Sequence, residues 1–390
     1  MKLTERIRYV GLNDRQTVLF ENQWPIPEGV SYNSYLVVDE KVALIDTAAA
    51  AFGDAYLENI RREIGDRPVD YLIVNHMEPD HSALQARIRA QYPDVTIVTN
   101  AKAVPMIAGF QGITKNIRVI KEGENLPLGE TSLQFFMAPM VHWPETMVTW
   151  CAEEQTLFSG DAFGTFKAVN NNVIDSESND YESYKEEMTR YYASIVGKYG
   201  ATVQNALKKL SGLPPIKRIC STHGPVWERD IPQVVALYDR LSRYDADPGV
   251  VIAYGSMYGN TAKAARALAD ALESAKIPYA LHDLCSENVS YALRDVFRYE
   301  TLVLGAPTYN NGIFPPVRQL MEAVCDRLVK NRRFFAFGSF TWAGASVRLL
   351  NEMAKSAGME LIGDGISFQH AYSPDKCDFS DLLHNLYYVK

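Results

Sequence analysis

The segment His76-Met77-Glu78-Pro79-Asp80-His81 constrains this chain more than any other stretch, because it packs four side chains able to hold a metal into one short loop. The loop lies directly behind the apolar run Tyr71-Leu72-Ile73-Val74, which reads as a buried strand. If the loop is extended, alternate side chains point the same way, and Pro79 stiffens the backbone. Imidazole and carboxylate would then converge on a shared centre, so a metal site is the expectation. A helix-period stretch from Ser82 to Tyr92 follows, with Asp80 or Ser82 placed to cap it.

Three more residues of ligand type sit where strands should end. His142 follows the apolar run from Phe135 to Val141, Asp161 follows Leu157-Phe158-Ser159-Gly160, and His223 follows Ile219-Cys220-Ser221-Thr222. A single histidine in such a place is more often a hydrogen-bonded core or surface residue than a ligand. Here His76, His81, His142 and His223, four of the seven histidines, all occupy strand-to-loop positions. The ordered set His76, Glu78, Asp80, His81, His142, Asp161 and His223 resembles the metallo-β-lactamase fold, in which such loops meet at the edge of an αββα sandwich. This sequence departs from the zinc-hydrolase pattern at Glu78, where a second histidine is usual. Three carboxylates, Glu78, Asp80 and Asp161, make the site anionic and rich in oxygen, which suits iron. Asp161 would bridge two ions, which in such pairs sit roughly 3.5–4 Å apart.

The rest of the first half mixes short apolar strands with helices: Tyr35 to Val38, Val42 to Asp46, and Val95 to Val98. Around Arg243 to Gly249 the pattern breaks into polar, Pro-Gly material, which divides the chain into domains of 1–246 and 247–390. Beyond it, strand-like runs at Val250 to Tyr254, Thr301 to Leu304 and Phe334 to Phe337 alternate with helix patterns such as Ala262 to Ala275. That alternation predicts a parallel, doubly wound sheet. Between the first strand and its helix lies Gly255-Ser256-Met257-Tyr258-Gly259-Asn260-Thr261, where backbone N–H groups and the helix dipole make an anion site. Asn260 stands where a Walker loop needs lysine, and no G-x-G-x-x-G fingerprint occurs.

Two further loops fall on the same carboxyl edge: Pro307-Thr308-Tyr309-Asn310-Asn311-Gly312 and Ser339-Phe340-Thr341-Trp342-Ala343-Gly344. A doubly wound sheet binds its ligand there, at the switch point. Tyr309 and Trp342 offer aromatic surface to a flat ring. The half resembles flavodoxin, which implies FMN.

Composition narrows the classes. A chain of 390 residues, 47% hydrophobic and 22% charged, is long enough for two cores. The net charge of −8, with no basic block, argues against a nucleic-acid surface. The charged start Met1 to Arg6 and the lack of any roughly 20-residue apolar stretch argue for cytoplasm rather than membrane or secretion. Five widely spaced cysteines without a C-x-x-C pair read as reduced thiols, not a disulfide framework, zinc ribbon or rubredoxin module.

A β-lactamase-like domain with Glu78 in its ligand loop, followed directly by a flavodoxin-like domain, is similar to the flavodiiron protein family. The resemblance spans essentially the whole chain. It implies a non-haem diiron site with two iron ions per chain, FMN, and reduction of dioxygen to water or nitric oxide to nitrous oxide. Diferrous iron plus reduced flavin stores the four electrons dioxygen needs. By that resemblance His76, Glu78 and His142 hold one iron, Asp80, His223 and His81 the other, and Asp161 bridges. Tyr192 resembles a pocket tyrosine that hydrogen-bonds bound oxygen species. Some members place a histidine near the pocket in the early segment, which here reads Leu19 to Trp24 and has none. The resemblance also implies a head-to-tail homodimer or a dimer of dimers, and electrons from an external donor, rubredoxin or reduced deazaflavin F420. Two other readings compete with it: a binuclear zinc hydrolase with an appended flavodoxin module, and an electron carrier whose first domain only docks.

Overall fold

A computed structural model of the chain describes residues 1–170, 172–177 and 180–387. They form two compact units, one of Met1–Tyr191 with Ala201–Asp239 and the other of Tyr192–Gly200 with Arg240–Lys390. The break therefore precedes the polar stretch singled out from the sequence. Tyr244 shows why: it is buried, its hydroxyl donates to Gly197 O at 3.0 Å, and its ring meets Phe297. The boundary stretch thus already belongs to the second unit's packing.

In the first unit, two sheets pack into an αββα sandwich. One sheet runs Ile7–Tyr9, Tyr35–Val38, Val42–Ile45, Tyr71–Ile73, Thr96–Thr99 and Ile117–Val119 in spatial order, the last four strands pairing in parallel. The other runs Asn125–Pro127, Ser132–Met137, Met147–Cys151, Thr156–Gly160 and Arg218–Ser221. Val37, Ile45, Ile73 and Val98 of the first sheet join Leu133, Phe135, Phe158 and Cys220 of the second in one core. Strands such as Val42–Ile45 are wholly buried, and this explains their unbroken apolar sequence. The helix Gly53–Ile64 buries Tyr56, Ile60 and Ile64, one stripe at four-residue spacing.

The ligand loop does not stay extended. Glu78 is extended, but Pro79–Ser82 forms a helical turn with proline at its start, and a separate helix follows at Gln85–Gln91. Neither Asp80 nor Ser82 caps a helix, because each is committed elsewhere. Ser82 donates its hydroxyl to Met77 O at 2.8 Å, and Asp80 faces histidines. His76 and Glu78 thus share a direction through strand-like alternation, whereas Asp80 and His81 are delivered by the turn.

The second unit is a parallel sheet in the order Tyr279–Asp283, Asp247–Tyr254, Tyr299–Gly305, Arg333–Phe340, with Glu360–Leu361 and Ile366–Gln369 both pairing with Arg333–Phe340. This is the flavodoxin-like order 2-1-3-4-5. Its first crossover helix, Asn260–Ser274, buries Ala264, Ala265, Leu268 and Leu272 against the sheet core. Among the described residues no helix is long and apolar enough to cross a membrane.

Close approach at the carboxyl edge requires a glycine at 338, where a Cβ would lie 2.1 Å from the carbonyl oxygen of Ala306. Gly338→Ala is expected to destabilise the second unit by about 1–3 kcal/mol. A lower urea midpoint for flavin release would register the change.

Candidate metal centre and flavin cradle

Four strand ends deliver the ligand-type side chains of the first unit. Tyr71–Ile73 leads to the loop of His76 and Glu78, Ser132–Met137 to His142, Thr156–Gly160 to Asp161, and Arg218–Ser221 to His223. Parallel pairing of the last two strands, with Gly160 opposite Ser221, sets Asp161 beside Thr222. All seven residues expected from the sequence come together, in two groups that share Asp161.

Around Asp161 Oδ2 stand His142 Nε2 at 3.0 Å and His76 Nε2 at 3.5 Å, and Glu78 Oε2 lies 2.9 Å from His142 Nε2. Around Asp161 Oδ1 stand His81 Nε2 at 3.1 Å and His223 Nε2 at 3.7 Å. Asp80 reaches His81 through one oxygen and His223 through the other, both at 3.2 Å. His81 is therefore turned inward. One carboxylate thus presents an oxygen to each of two nitrogen and oxygen clusters, as a bridging ligand must.

The donor atoms also fit ions chemically. Both oxygens of Asp80, both ring nitrogens of His81 and Nε2 of His223 are buried without a hydrogen-bond partner. Buried polar atoms are almost always satisfied, so a cluster of open lone pairs aimed at one another suits a cation. Burial opposes charge on the imidazoles of His76 and His81, yet the negative charge of Asp161 leads the groups that hold both up at about 10. His142 is likewise held at about 9, against burial, by its hydrogen bonds to Asp161 and Glu78.

Further residues, not foreseen, fix the ligands. Glu145, almost wholly buried, places Oε1 2.8 Å from His76 Nδ1 and accepts the Met77 N–H at 2.9 Å. A carboxylate on the far side of a metal-facing imidazole fixes its orientation and raises its basicity. His223 Nδ1 lies 2.7 Å from Ser31 O, and Thr222 donates its hydroxyl to Asp161 Oδ1 at 2.5 Å. Glu145 follows His142 by three residues, and that proximity was the available signal.

The helix Tyr181–Tyr191 passes into a wider π-turn over Tyr192–Val196, and Tyr192 groups with the second unit, its ring on Phe297. Tyr191 is the tyrosine beside the site, with its ring 5.6 Å from His223 and a buried hydroxyl that has no partner. The early segment reaches the site too, without a histidine. It forms a hairpin of Leu19–Phe20 with Trp24–Pro25, and Phe20 meets His223 edge-on at 5.4 Å. Glu21 at its tip takes the Trp24 indole N–H at 2.9 Å; burial and the adjoining charge of Glu78 push it up to about 7.

The second unit carries a cavity of about 690 Å³ along its carboxyl edge, of cofactor size. Ser256, Met257, Tyr258, Asn260 and Thr261 line one side; Pro307, Thr308, Tyr309, Asn310 and Asn311, and Ser339 to Ala343, complete it. Gly259, Gly312 and Gly344 lie outside the lining. Gly259 instead provides the left-handed turn (φ 85°) before the helix Asn260–Ser274, its N–H donating to Ser256 Oγ at 3.1 Å. Asn310 and Asn311, both at positive φ, turn the small hairpin that projects Tyr309. His370 and Ala371 also line the cavity. They follow the strand Ile366–Gln369, which the sequence reading did not identify, although the strand-end rule applied there too. Tyr258 and Trp342 are 90% and 87% exposed, open ring faces at the mouth. The helix N-terminus and hydroxyl loop suit a phosphate and the aromatic edge a flat ring, so the cradle fits FMN.

Comparison with known proteins agrees with both halves. The family model described as ODP family beta lactamase matches residues 30–224, and the flavodoxin model matches residues 252–378. The chain is 31% identical to the nitric oxide reductase of Moorella thermoacetica over 93% of its length and 91% of that protein's. Its structure is similar to that of rubredoxin oxygen:oxidoreductase from Desulfovibrio gigas, with a TM-score of 0.94, 27% identity and coverage of 99% and 97% of the two chains. The flavodiiron protein of Giardia intestinalis matches with a TM-score of 0.91 and 27% identity, over 97% of this chain and 93% of that one.

Loss of the Glu145 charge is expected to weaken iron retention about 10- to 100-fold, as outer-shell partners typically do. Ferrous titration of Glu145→Gln against the unmodified chain measures it. Because an ion must displace protons held at about 9 to 10, apparent affinity in both proteins should rise with pH through the neutral range and fall in acid.

Proposed function

The chain belongs to the flavodiiron protein family, and on that premise we propose that it is an oxidoreductase reducing dioxygen to water, nitric oxide to nitrous oxide, or both. The observation that carries this reading is the single buried carboxylate, Asp161, shared by two clusters in a chain that also carries a flavin cradle. His76, Glu78 and His142 would hold one iron, and Asp80, His81 and His223 the other. The two irons and FMN, when bound, supply the redox chemistry and store four electrons between them.

The residues of the chain do the rest. Glu78, Asp80 and Asp161 offset the charge of two cations, a set better matched to iron than to the zinc of a hydrolase. Glu145 and the Ser31 carbonyl keep the imidazoles of His76 and His223 aimed inward. Burial, with the charges of Asp161, Glu78 and Asp80, holds the Tyr191 phenol far above its ordinary range, so it stays a proton carrier and hydrogen-bond donor. Glu21, beside Glu78, keeps a carboxyl that can hold a proton near neutrality. In the flavin cradle, Ser256, Asn260 and Thr261 would bind the phosphate, and Tyr309 and Trp342 would orient the ring.

The Desulfovibrio gigas protein is named for rubredoxin, and we take a rubredoxin as donor, with reduced F420 the alternative. We place the protein in the cytoplasm. A head-to-tail dimer, alone or paired, would set one protomer's flavin beside its partner's irons.

Elemental analysis should find about two irons per chain, the stoichiometry of a paired site; zinc after expression with ample iron would sink the reading. His142→Asn is expected to abolish gas reduction while leaving flavin content and stopped-flow reduction by rubredoxin intact. Retained turnover would favour a simple electron carrier. Sedimentation should show a dimer or tetramer, and a fully active monomer would exclude the proposed pairing.

A further inference from the structure

A small apolar cavity lies behind the ligand loops of the first unit, separate from the flavin cradle. Its volume is about 20 Å³, enough for one small molecule. Val141, Ala162, Phe163 and Ala206 contribute apolar walls, and Thr146, Ser159 and Tyr238 bring hydroxyls to the lining. All three are engaged within the protein: Thr146 donates to Trp143 O at 3.0 Å and Ser159 to Ala162 O at 2.7 Å, while the backbone of Phe163 and Gly164 holds the Tyr238 hydroxyl. A water placed here would forfeit hydrogen bonds without replacing them, and apolar cavities of this kind stay dry.

Its position gives the cavity meaning. Val141 directly precedes His142, Ala162 directly follows Asp161, and Thr146 Oγ1 lies 3.5 Å from His76 Nδ1. The wall is therefore made by the same short segments that carry two residues of one cluster, His142 and Asp161, and it touches the third, His76, through Thr146. The opposite wall is the helix Gly200–Leu210, which presents Val203, Ala206, Leu207 and Leu210 at helical spacing. Dioxygen and nitric oxide are small, nearly apolar and cheaply removed from water, so a dry pocket concentrates them where it would exclude ions and water.

We propose that this cavity holds an apolar diatomic gas and supplies it to the metal centre from the side of His142 and Asp161. The proposal rests on the gas-reductase reading, and it adds a binding site that the ligand set does not require.

Xenon is the probe, because it occupies dry apolar cavities without chemistry. Crystals of the iron- and flavin-loaded protein under xenon pressure should show the atom between Val141, Ala162 and Ala206. Ala206→Phe should abolish that peak and lower kcat/KM for the gas several-fold, with iron content, flavin content and kcat at saturating gas unchanged. Ala206→Leu, a smaller filling, should do the same to a lesser degree and serves if the larger ring prevents folding. No xenon in the cavity, or xenon lost with kcat/KM unaltered, overturns the proposal. A loaded protein that binds xenon here yet reduces neither gas would instead refute the proposed function, because the occupancy is read without turnover.

Discussion

Asp161 is the group around which the first unit is arranged. A carboxylate with no exposure is costly to bury unless its charge is answered. Here His142 and His76 answer one oxygen, while His81, His223 and the hydroxyl of Thr222 answer the other. Its own charge is stabilised so strongly that, despite burial, it lies well below the usual carboxylate range. These partners come from three strand ends, after Tyr71–Ile73, Ser132–Met137 and Arg218–Ser221, drawn from both sheets, so the two sheets must be assembled before all of them can meet. The sandwich is in this sense the support of one buried charge.

The two units apply a common rule to different ligands. In both, strands run toward the edge where their loops collect chemistry, and most of those strands are apolar runs. The first unit sends out side-chain donors from loops stiffened by Pro79 and oriented by Glu145. The second offers backbone and hydroxyl groups from Ser256 to Thr261 and aromatic faces from Tyr309 and Trp342. Charged donors in a dry pocket suit cations; a helix N-terminus with hydroxyls suits a phosphate.

Much of the site was legible because ligand residues in such folds sit beside strong strand signals. His76, His142, Asp161 and His223 each follow an apolar run, and a strand places its end without needing fine detail. The flavin loops were legible for the same reason, save that of His370, whose short strand Ile366–Gln369 buries only Phe368 between exposed polar residues and carries a weak apolar signal. Glu145 escaped because an acid outside a motif gives no sign of burial. Tyr191 was not singled out because adjacent tyrosines are indistinguishable in sequence, and the π-turn that begins at Tyr192 has no simple residue code.

The sequence by itself determined the inventory: two domains, a carboxylate-rich ligand set in order along the chain, and an edge of glycine, hydroxyl and aromatic loops. Only the tertiary structure decided which atoms share a centre. Asp161 presents an oxygen to each cluster, His81 turns inward, Glu145 backs His76, and Glu21 faces Glu78 from a hairpin some 57 residues away in the sequence. Ligand identity is a local property of side-chain chemistry. Convergence depends on register and on the packing of one sheet against another, and those are set by contacts between residues far apart in the chain.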